Sequence, residues 1–249
     1  MTRNVLVTGG SGGIGRAIAE RFAADGDTVV ITGRDTGRLR RAAAELGAHG
    51  ILCDATDPAQ VAALRAGLDE RIGPRLDVVV NNAGGNTDFD AGDDDSRDDA
   101  GGLKLLAERW RANLDANLLS AVLTTYAVTN RLAAGGSVIS IGTIGAERGG
   151  GSYGAAKAAL AAWNADLSAD IGPRGITANV ISAGYIEGTA FFRDRMTPQR
   201  RAALIAATHD RRPGQPGDIA QTAHFLASPG ARHITGQTIH VNGGAFTTR

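Results

Sequence analysis

Seven short runs of β-branched and other apolar residues recur along the chain: NVLVT, TVVIT, HGILC, LDVVVN, GSVISI, GITANVI and GQTIHV. Most are continuously apolar rather than alternating, as expected of strands buried on both faces. Between them lie Ala-, Leu- and Arg-rich stretches with helical spacing, near residues 14–25, 36–46, 58–71, 103–134, 151–171 and 217–227. Strands alternating with helices of roughly ten to twenty residues specify βαβ units, and hence a parallel sheet covered on both faces. No repeat or linker divides the 249 residues, so the expectation is one α/β domain over 1–249. One segment breaks the rhythm. Residues 85–102, GNTDFDAGDDDSRDDAGG, carry seven aspartates and one arginine, the pattern of a solvated, mobile surface insertion. A calcium loop would close on a glutamate, which this segment lacks.

Composition narrows the function classes. Lysine and arginine total 26 against 26 acidic residues, which argues against a nucleic-acid or anionic-membrane binder working through net charge. Aromatics at 4% make a base-stacking surface a poor fit. The single cysteine, Cys53, permits no internal disulfide, and the five histidines have no zinc-binding spacing. The amino end is too short in apolar residues for a signal peptide, and no run suits a membrane span, so the expected location is the cytoplasm. Glycine is the outlier: 35 residues, roughly twice the ordinary share of about 7%. Such an excess implies tight turns or a backbone that approaches something closely.

The segment TGGSGGIG (8–15) supplies that close approach. It follows the first strand and opens the first helix, where backbone N–H groups and the positive helix end suit a pyrophosphate. Gly9, Gly13 and Gly15 take the spaced glycine positions, with Ser11 able to donate from its hydroxyl. At the end of the second strand, ITGRD puts Gly33 where an NAD site places an acidic residue, followed by Arg34. An arginine fork suits a 2′-phosphate, so NADP(H) is favoured over NAD(H), while Asp35 is expected to cap the next helix.

Tyr153 and Lys157 lie four apart in SYGAAKAAL, on one face of an expected helix. With two lysines and three tyrosines in the chain, that spacing is poorly explained by coincidence. A surface i,i+4 pair is the plainer alternative. An ammonium beside a phenol favours phenolate and lowers the tyrosine pKa from about 10. Such a tyrosine can give a proton to a developing alkoxide or take one from an alcohol.

Together these residues resemble the short-chain dehydrogenase/reductases, most closely the 3-oxoacyl-carrier-protein-reductase-like branch. The resemblance covers essentially the whole chain: TGGSGGIG, CDATDP (53–58), NNAG (81–84), LDANLLS (114–120), SYGAAK (152–157), SAGYIEGTAFF (182–192) and FLASPGARHITGQTIHVNGG (225–244). It implies a Rossmann-type doubly wound parallel sheet of about seven strands. Within the cradle Gly9, Gly10, Ser11, Gly12, Gly13, Ile14 and Gly15, it implies that Gly9 to Gly12 hold the pyrophosphate and adenosine ribose. Asp54 and Ala55 would flank the adenine. Asn82, with Ala83 and Gly84, would meet the cofactor ribose, while Asn81 braces the sheet. Lys157 would also bond the nicotinamide ribose, and Ile186 and Thr189 would position the carboxamide. Asn117 would hold a water that passes protons toward Lys157 and Tyr153, with a helix kink or cap as its alternative role.

Two departures from the family pattern matter. The serine that usually orients the substrate carbonyl is replaced: laying ISIGTIG on that strand favours Thr143, with Ser140 and Ser152 as alternatives. Ala183 stands where the family has proline before Gly184, which should loosen the turn behind the nicotinamide by about 0.5–1 kcal/mol. The implied activity is NADPH-dependent reduction of a ketone by hydride transfer. Its substrate would be a 3-oxoacyl thioester, carrier-bound or free, or a secondary-metabolite ketone. The alternative is a non-catalytic dinucleotide sensor of the same fold. Residues 189–212 fall where relatives carry a substrate lid and hold six arginines against two aspartates. The helices at 103–134 and 151–171 would build a homotetramer or dimer.

Overall fold

The structure, a computed structural model, describes residues 2–89 and 100–248. Seven parallel strands form one sheet in the order β3-β2-β1-β4-β5-β6-β7. They are β1 (Asn4–Val7), β2 (Thr28–Gly33), β3 (His49–Leu52), β4 (Leu76–Asn81), β5 (Leu132–Thr143), β6 (Thr177–Ala183) and β7 (Thr238–Val241). The helices are α1 (Gly13–Ala24), α2 (Thr36–Leu46), α3 (Pro58–Ile72), α4 (Ala100–Leu114), α5 (Ser120–Val128), α6 (Gly145–Arg148), α7 (Gly151–Ile171), α8 (Pro198–Ala206) and α9 (Pro216–Leu226). This is the doubly wound Rossmann-type sheet expected from the alternation of strands and helices.

The continuous apolar runs have a direct cause. Val5, Val7, Val29, Ile31, Val78 and Val80 face one side of the sheet and pack with Ile18 and Phe22 of α1, Leu39 of α2 and Ile219 of α9. Their neighbours Leu6, Val30 and Val79 face the other side, against Leu64 of α3, Val128 of α5 and Ile171 of α7. A strand covered on both faces has no polar alternation to display.

The strand order reverses between β1 and β4, so the loops leaving these two strands diverge and open a crevice at their carboxyl ends. Helix starts around it differ in a telling way. Asp35 caps α2 by accepting from Arg38 N at 2.8 Å, as its position suggests, and Asp57 caps α3 through Ala59 N at 2.8 Å. Helix α1 begins at Gly12 with no side-chain cap and no acidic residue in its first turn.

Sequence and structure differ at several places. The helical stretch 103–134 is not one helix: a π-helical turn, Asp115–Leu119, separates α4 from α5, and α5 ends at Val128. Strand β5 starts at Leu132 instead of Gly136, with a register break between Leu76↔Leu132 and Val78↔Ser137. Gly136 lies in that irregular stretch, where an added Cβ would stand 2.9 Å from the Ala133 and Asp77 carbonyls. Finally, the lid region 189–212 contains α8, and the turn before α7 contains the four-residue α6. Of the acidic segment 85–102, residues 90–99 lie outside the described residues; residues 85–89 are half-buried and not a solvated insertion, because Asp88 and Phe89 of a short 3₁₀ turn pack against Ser152 and Phe191.

Candidate active site

The cradle is assembled by close approach. Gly9 adopts φ +65°, and an added Cβ there would lie 3.0 Å from Ala83 Cα. At Gly15 it would lie 2.3 Å from Asn82 Nδ2 and 2.4 Å from Gly9 O, so only glycine lets α1 start against both loops. Asn82 Nδ2 donates to the carbonyls of Thr8 (3.0 Å) and Gly9 (3.1 Å), while Asn82 N and Ala83 N donate to Thr8 Oγ1. The Asn82 amide nitrogen is therefore committed to the loop after β1, which leaves its Oδ1 and its backbone for the expected ribose contact. Asn81 braces the sheet as expected, donating from Nδ2 to Thr125 Oγ1 at 2.8 Å.

A cavity of about 640 Å³ runs from this cradle to the ends of β5 and β6. Ser11, Gly12, Gly13 and Ile14 border one end, with Arg34, Asp54 and Ala55 beside them. Gly10 packs inward on Ile31 and, unlike its neighbours, is a buried spacer. Gly33 ends β2 directly beneath Ser11, where a Cβ would approach Ser11 Oγ to 3.2 Å. Arg34 is 78% exposed and reaches Asp54 Oδ2 only at 3.9 Å, leaving its guanidinium available at the rim. The other Asp54 oxygen, Oδ1, accepts from Thr56 N and Oγ1 and shapes the turn after β3. An uncapped helix start, a glycine cradle and an accessible arginine form a donor set for a phosphorylated dinucleotide.

The other end carries the titratable groups. Thr143, Tyr153 and Lys157 share the cavity wall with Gly84, Ile186 and Thr189, whereas Ser140 and Ser152 do not border it. Ser140 sits fully buried inside β5, paired with Asn81 and Val180. Ser152 instead donates to the Asp88 carboxylate at 2.9 Å. Thr143 is the last residue of β5 and lines the same cavity as Tyr153, where its side chain acts to lower the phenol pKa. Lys157 is 5% exposed and donates from Nζ to Ile141 O at 2.8 Å. Burial brings its pKa down to about 8.

Burial also pushes the Tyr153 phenol well above its ordinary value, opposed only by the Thr143 side chain. The expected lowering by Lys157 is thus not what this geometry produces, because desolvation outweighs any pull from an ammonium directed at a backbone carbonyl. The result is a neutral phenol beside a lysine that gives up its proton readily.

Asn117 occupies the π-helical turn and is 1% exposed. Its Nδ2 donates to Gly85 O (2.9 Å) and Asn113 O (3.0 Å), and its Oδ1 accepts from Gly85 N (3.0 Å). Both amide hydrogens are therefore in use, and the kink considered for Asn117 is present as well. Gly84, at φ +143°, would place a Cβ 2.6 Å from Asn117 Oδ1. Thr189 Oγ1 donates to Ile186 O at 3.2 Å, closing the turn that faces Gly13. At the substituted proline position, Ala183 is 5% exposed and its carbonyl accepts from Ile144 N, while Gly184 N donates to Val241 O. This turn is pinned on both sides, so the alanine acts through the unfolded chain and not through a loosened loop.

Sequence reasoning missed the aromatic wall. The Phe191 ring lies 5.4 Å from that of Tyr153 and 5.8 Å from Phe89, and Phe192 packs on Phe191 and Tyr185. Arg200 covers Phe192 and Arg195 covers Phe89, at 4.9 and 5.4 Å. The signal was the Phe191–Phe192 pair in a chain with six phenylalanines. Near the two ends of the segment 189–212, Arg193 and Arg211 hold left-handed backbone angles, φ +49° and +57°. No described helix is long and apolar enough to cross a membrane, and no described cluster of three or more His, Cys, Asp or Glu could hold a metal.

Residues 9–246 match the sequence profile of the family described as enoyl-(acyl carrier protein) reductase. A putative oxidoreductase of Mycobacterium tuberculosis is 40% identical over 242 residues, 97% of each chain. The 3-oxoacyl-(acyl-carrier-protein) reductase FabG of Escherichia coli is 35% identical over 248 residues, covering 97% of this chain and 96% of FabG. A short-chain dehydrogenase from Burkholderia cenocepacia, solved in complex with NADP, superimposes with TM-score 0.85 at 33% identity, covering 98% of this chain and 97% of its own.

The buried lysine makes stability depend on pH in a defined direction. Unfolded Lys157 keeps its proton up to its ordinary value of 10.5, whereas the folded protein releases it near 8. Between those values the unfolded state binds more protons, so the Lys157 contribution becomes less unfavourable as pH rises. Urea unfolding of wild type and Lys157→Met across pH 7 to 10.5 should show the wild type gaining on the variant, by up to roughly 3 kcal/mol. A difference independent of pH would show that the ammonium is not penalised.

Proposed function

The chain belongs to the short-chain dehydrogenase/reductase family, and from that membership we propose that it is an NADPH-dependent reductase converting a ketone to a secondary alcohol. One observation carries the reading: a neutral tyrosine, a threonine hydroxyl and a lysine of lowered pKa share one cavity with an uncapped helix start and an exposed arginine. Bound NADPH supplies the hydride to the carbonyl carbon.

The chain's own residues supply orientation and the proton. Gly9 to Gly15 and the start of α1 receive the pyrophosphate, and Arg34 receives the 2′-phosphate. The Thr143 hydroxyl polarises the substrate oxygen. Tyr153 Oη gives that oxygen its proton, and the phenolate left behind recovers one from the Lys157 ammonium, whose pKa of about 8 makes the transfer easy. The elevated phenol pKa keeps Tyr153 in the protonated form that can donate to a developing alkoxide. Asn117 supports the relay by fixing the π-helical turn, because its side chain has no further hydrogen to offer a water. NADP over NAD is supported by Gly33 and Arg34 and by the NADP held in the Burkholderia structure. FabG's name supports a 3-oxoacyl thioester as one substrate class, and the aromatic wall suits a smaller ketone as another. A homo-oligomer, a tetramer or a dimer, is supported by Leu103, Leu106 and Trp110, exposed at i, i+3 and i+7 on α4.

Turnover of NADPH and NADH should be measured over β-ketoacyl thioesters, diketones and quinones. Tyr153→Phe is expected to abolish turnover while NADPH binding persists; an unchanged rate sinks the assignment, and binding without any turnover in the wild type would favour the sensor reading. Arg34→Ala should raise the KM for NADPH by about 10-fold, from lost charge-assisted bonds, and leave NADH nearly unaffected. Sedimentation equilibrium should give a mass well above the 25.5 kDa monomer, falling in Trp110→Glu.

A further inference from the structure

A short 3₁₀ turn, Thr87–Phe89, follows the NNAG segment. Its middle residue enters a polar cluster that no part of the proposed mechanism uses. Ser152 Oγ lies 2.9 and 3.0 Å from the two Asp88 carboxylate oxygens, and Asn113 Nδ2 donates to Asp88 Oδ1 at 3.0 Å. Asn113 Nδ2 also donates to Ser152 Oγ at 2.8 Å, and Asn113 Oδ1 accepts from Thr87 N at 3.1 Å. Asn113 is 0% and Ser152 5% exposed, so water cannot replace a lost partner. The cluster reaches two functional residues by adjacency: Ser152 precedes Tyr153, and Asn113 O accepts from Asn117 Nδ2 one helical turn later.

Resting on the reductase reading, we propose that Asp88 is a positioning residue: its acceptor-only carboxylate sets the direction of every hydrogen bond in this cluster, and thereby holds the first turn of α7 and the Asn117 turn in register. An ionised carboxylate accepts and never donates. It therefore requires the Ser152 proton to point toward it and leaves a Ser152 lone pair for Asn113. Asn113 must then turn its nitrogen to Asp88 and its oxygen to Thr87 N, which fixes an orientation an amide could otherwise reverse. An asparagine at 88 would present one acceptor and one donor to two donors, leaving a buried mismatch. A separate contact connects the same turn to Tyr153 from the other side: Phe89 meets Phe191, and Phe191 packs on the Tyr153 ring. One three-residue turn thus references both the helix and the lid that flank the tyrosine.

The test compares wild type, Asp88→Asn, Ser152→Ala and the swap Asp88→Asn with Asn113→Asp, which restores an acceptor-only member at the neighbouring position. Asp88→Asn should lower kcat by about 10-fold or more with the KM for NADPH within about twofold, the split expected when only transition-state geometry is disturbed. The swap should recover most of that loss, an interaction that additive effects cannot produce. Ser152→Ala, which leaves Asn113 the Asp88 carboxylate as an acceptor, should lower kcat with a smaller fall in thermal midpoint than Asp88→Asn. Amide hydrogen exchange across 85–89 and 151–157 should quicken in Asp88→Asn and return toward wild type in the swap. The inference is overturned if Asp88→Asn keeps wild-type kcat and exchange, or if the swap is no better than the single variant. Should the wild type reduce no carbonyl at all, the reductase reading fails, and the exchange comparison alone decides whether Asp88 orders these two turns.

Discussion

The site depends first on one carboxamide. Asn82 Nδ2 bridges the carbonyls of Thr8 and Gly9, while the Thr8 hydroxyl takes the N–H groups of Asn82 and Ala83. These bonds tie the loops leaving β1 and β4 where the order of strands reverses and the loops would otherwise part. The glycines follow from that bridge. Gly15 has no room for a side chain because the Asn82 amide stands there, and Gly9 has none because the Ala83 backbone does. With α1 drawn in so closely, its first N–H groups face the crevice instead of a capping side chain.

At the far end of the crevice, burial sets the chemistry more than charge pairing does. Lys157 is held against Ile141 O, and desolvation lowers its pKa while raising that of Tyr153. The two shifts run in opposite directions and move the proton's preference toward the tyrosine, so that a phenolate formed in the site is readily reprotonated at the expense of the Lys157 ammonium. This is a property of the packed sheet: Thr143 and Ile141 belong to β5, the tyrosine and lysine to the helix packed over it.

Much of this was legible in the chain because it is local. Apolar runs on strands buried from both sides, the glycine cluster, Arg34 after Gly33, and a tyrosine and lysine one turn apart are all short-range patterns. Asp35 as a helix cap belongs with them. The π-helical turn at Asp115–Leu119 was not legible, since one extra residue in a turn hardly alters helical periodicity. The early start of β5 was hidden because Leu132–Gly136 is poor in strand formers and irregular in register. The burial that turns the net shift of Tyr153 upward was not legible, as spacing alone says nothing about how deeply a pair is buried. Phe89 on Phe191 and Asp88 on Ser152 join residues 102 and 64 positions apart, and only the fold brings them together.

The left-handed backbones of Arg193 and Arg211 bear on which substitutions the scaffold tolerates. Each non-glycine residue in that region costs on the order of 1 kcal/mol, so the lid keeps its shape through ring and guanidinium contacts more than through backbone preference. Contacts of that kind can be exchanged one at a time, whereas a cradle in which Gly15 and Asn82 exclude any added atom cannot. A substitution among Gly9, Gly15 and Asn82 therefore meets a hard steric limit, whereas one among Phe191, Phe192 and Arg200 meets only the loss of a single contact.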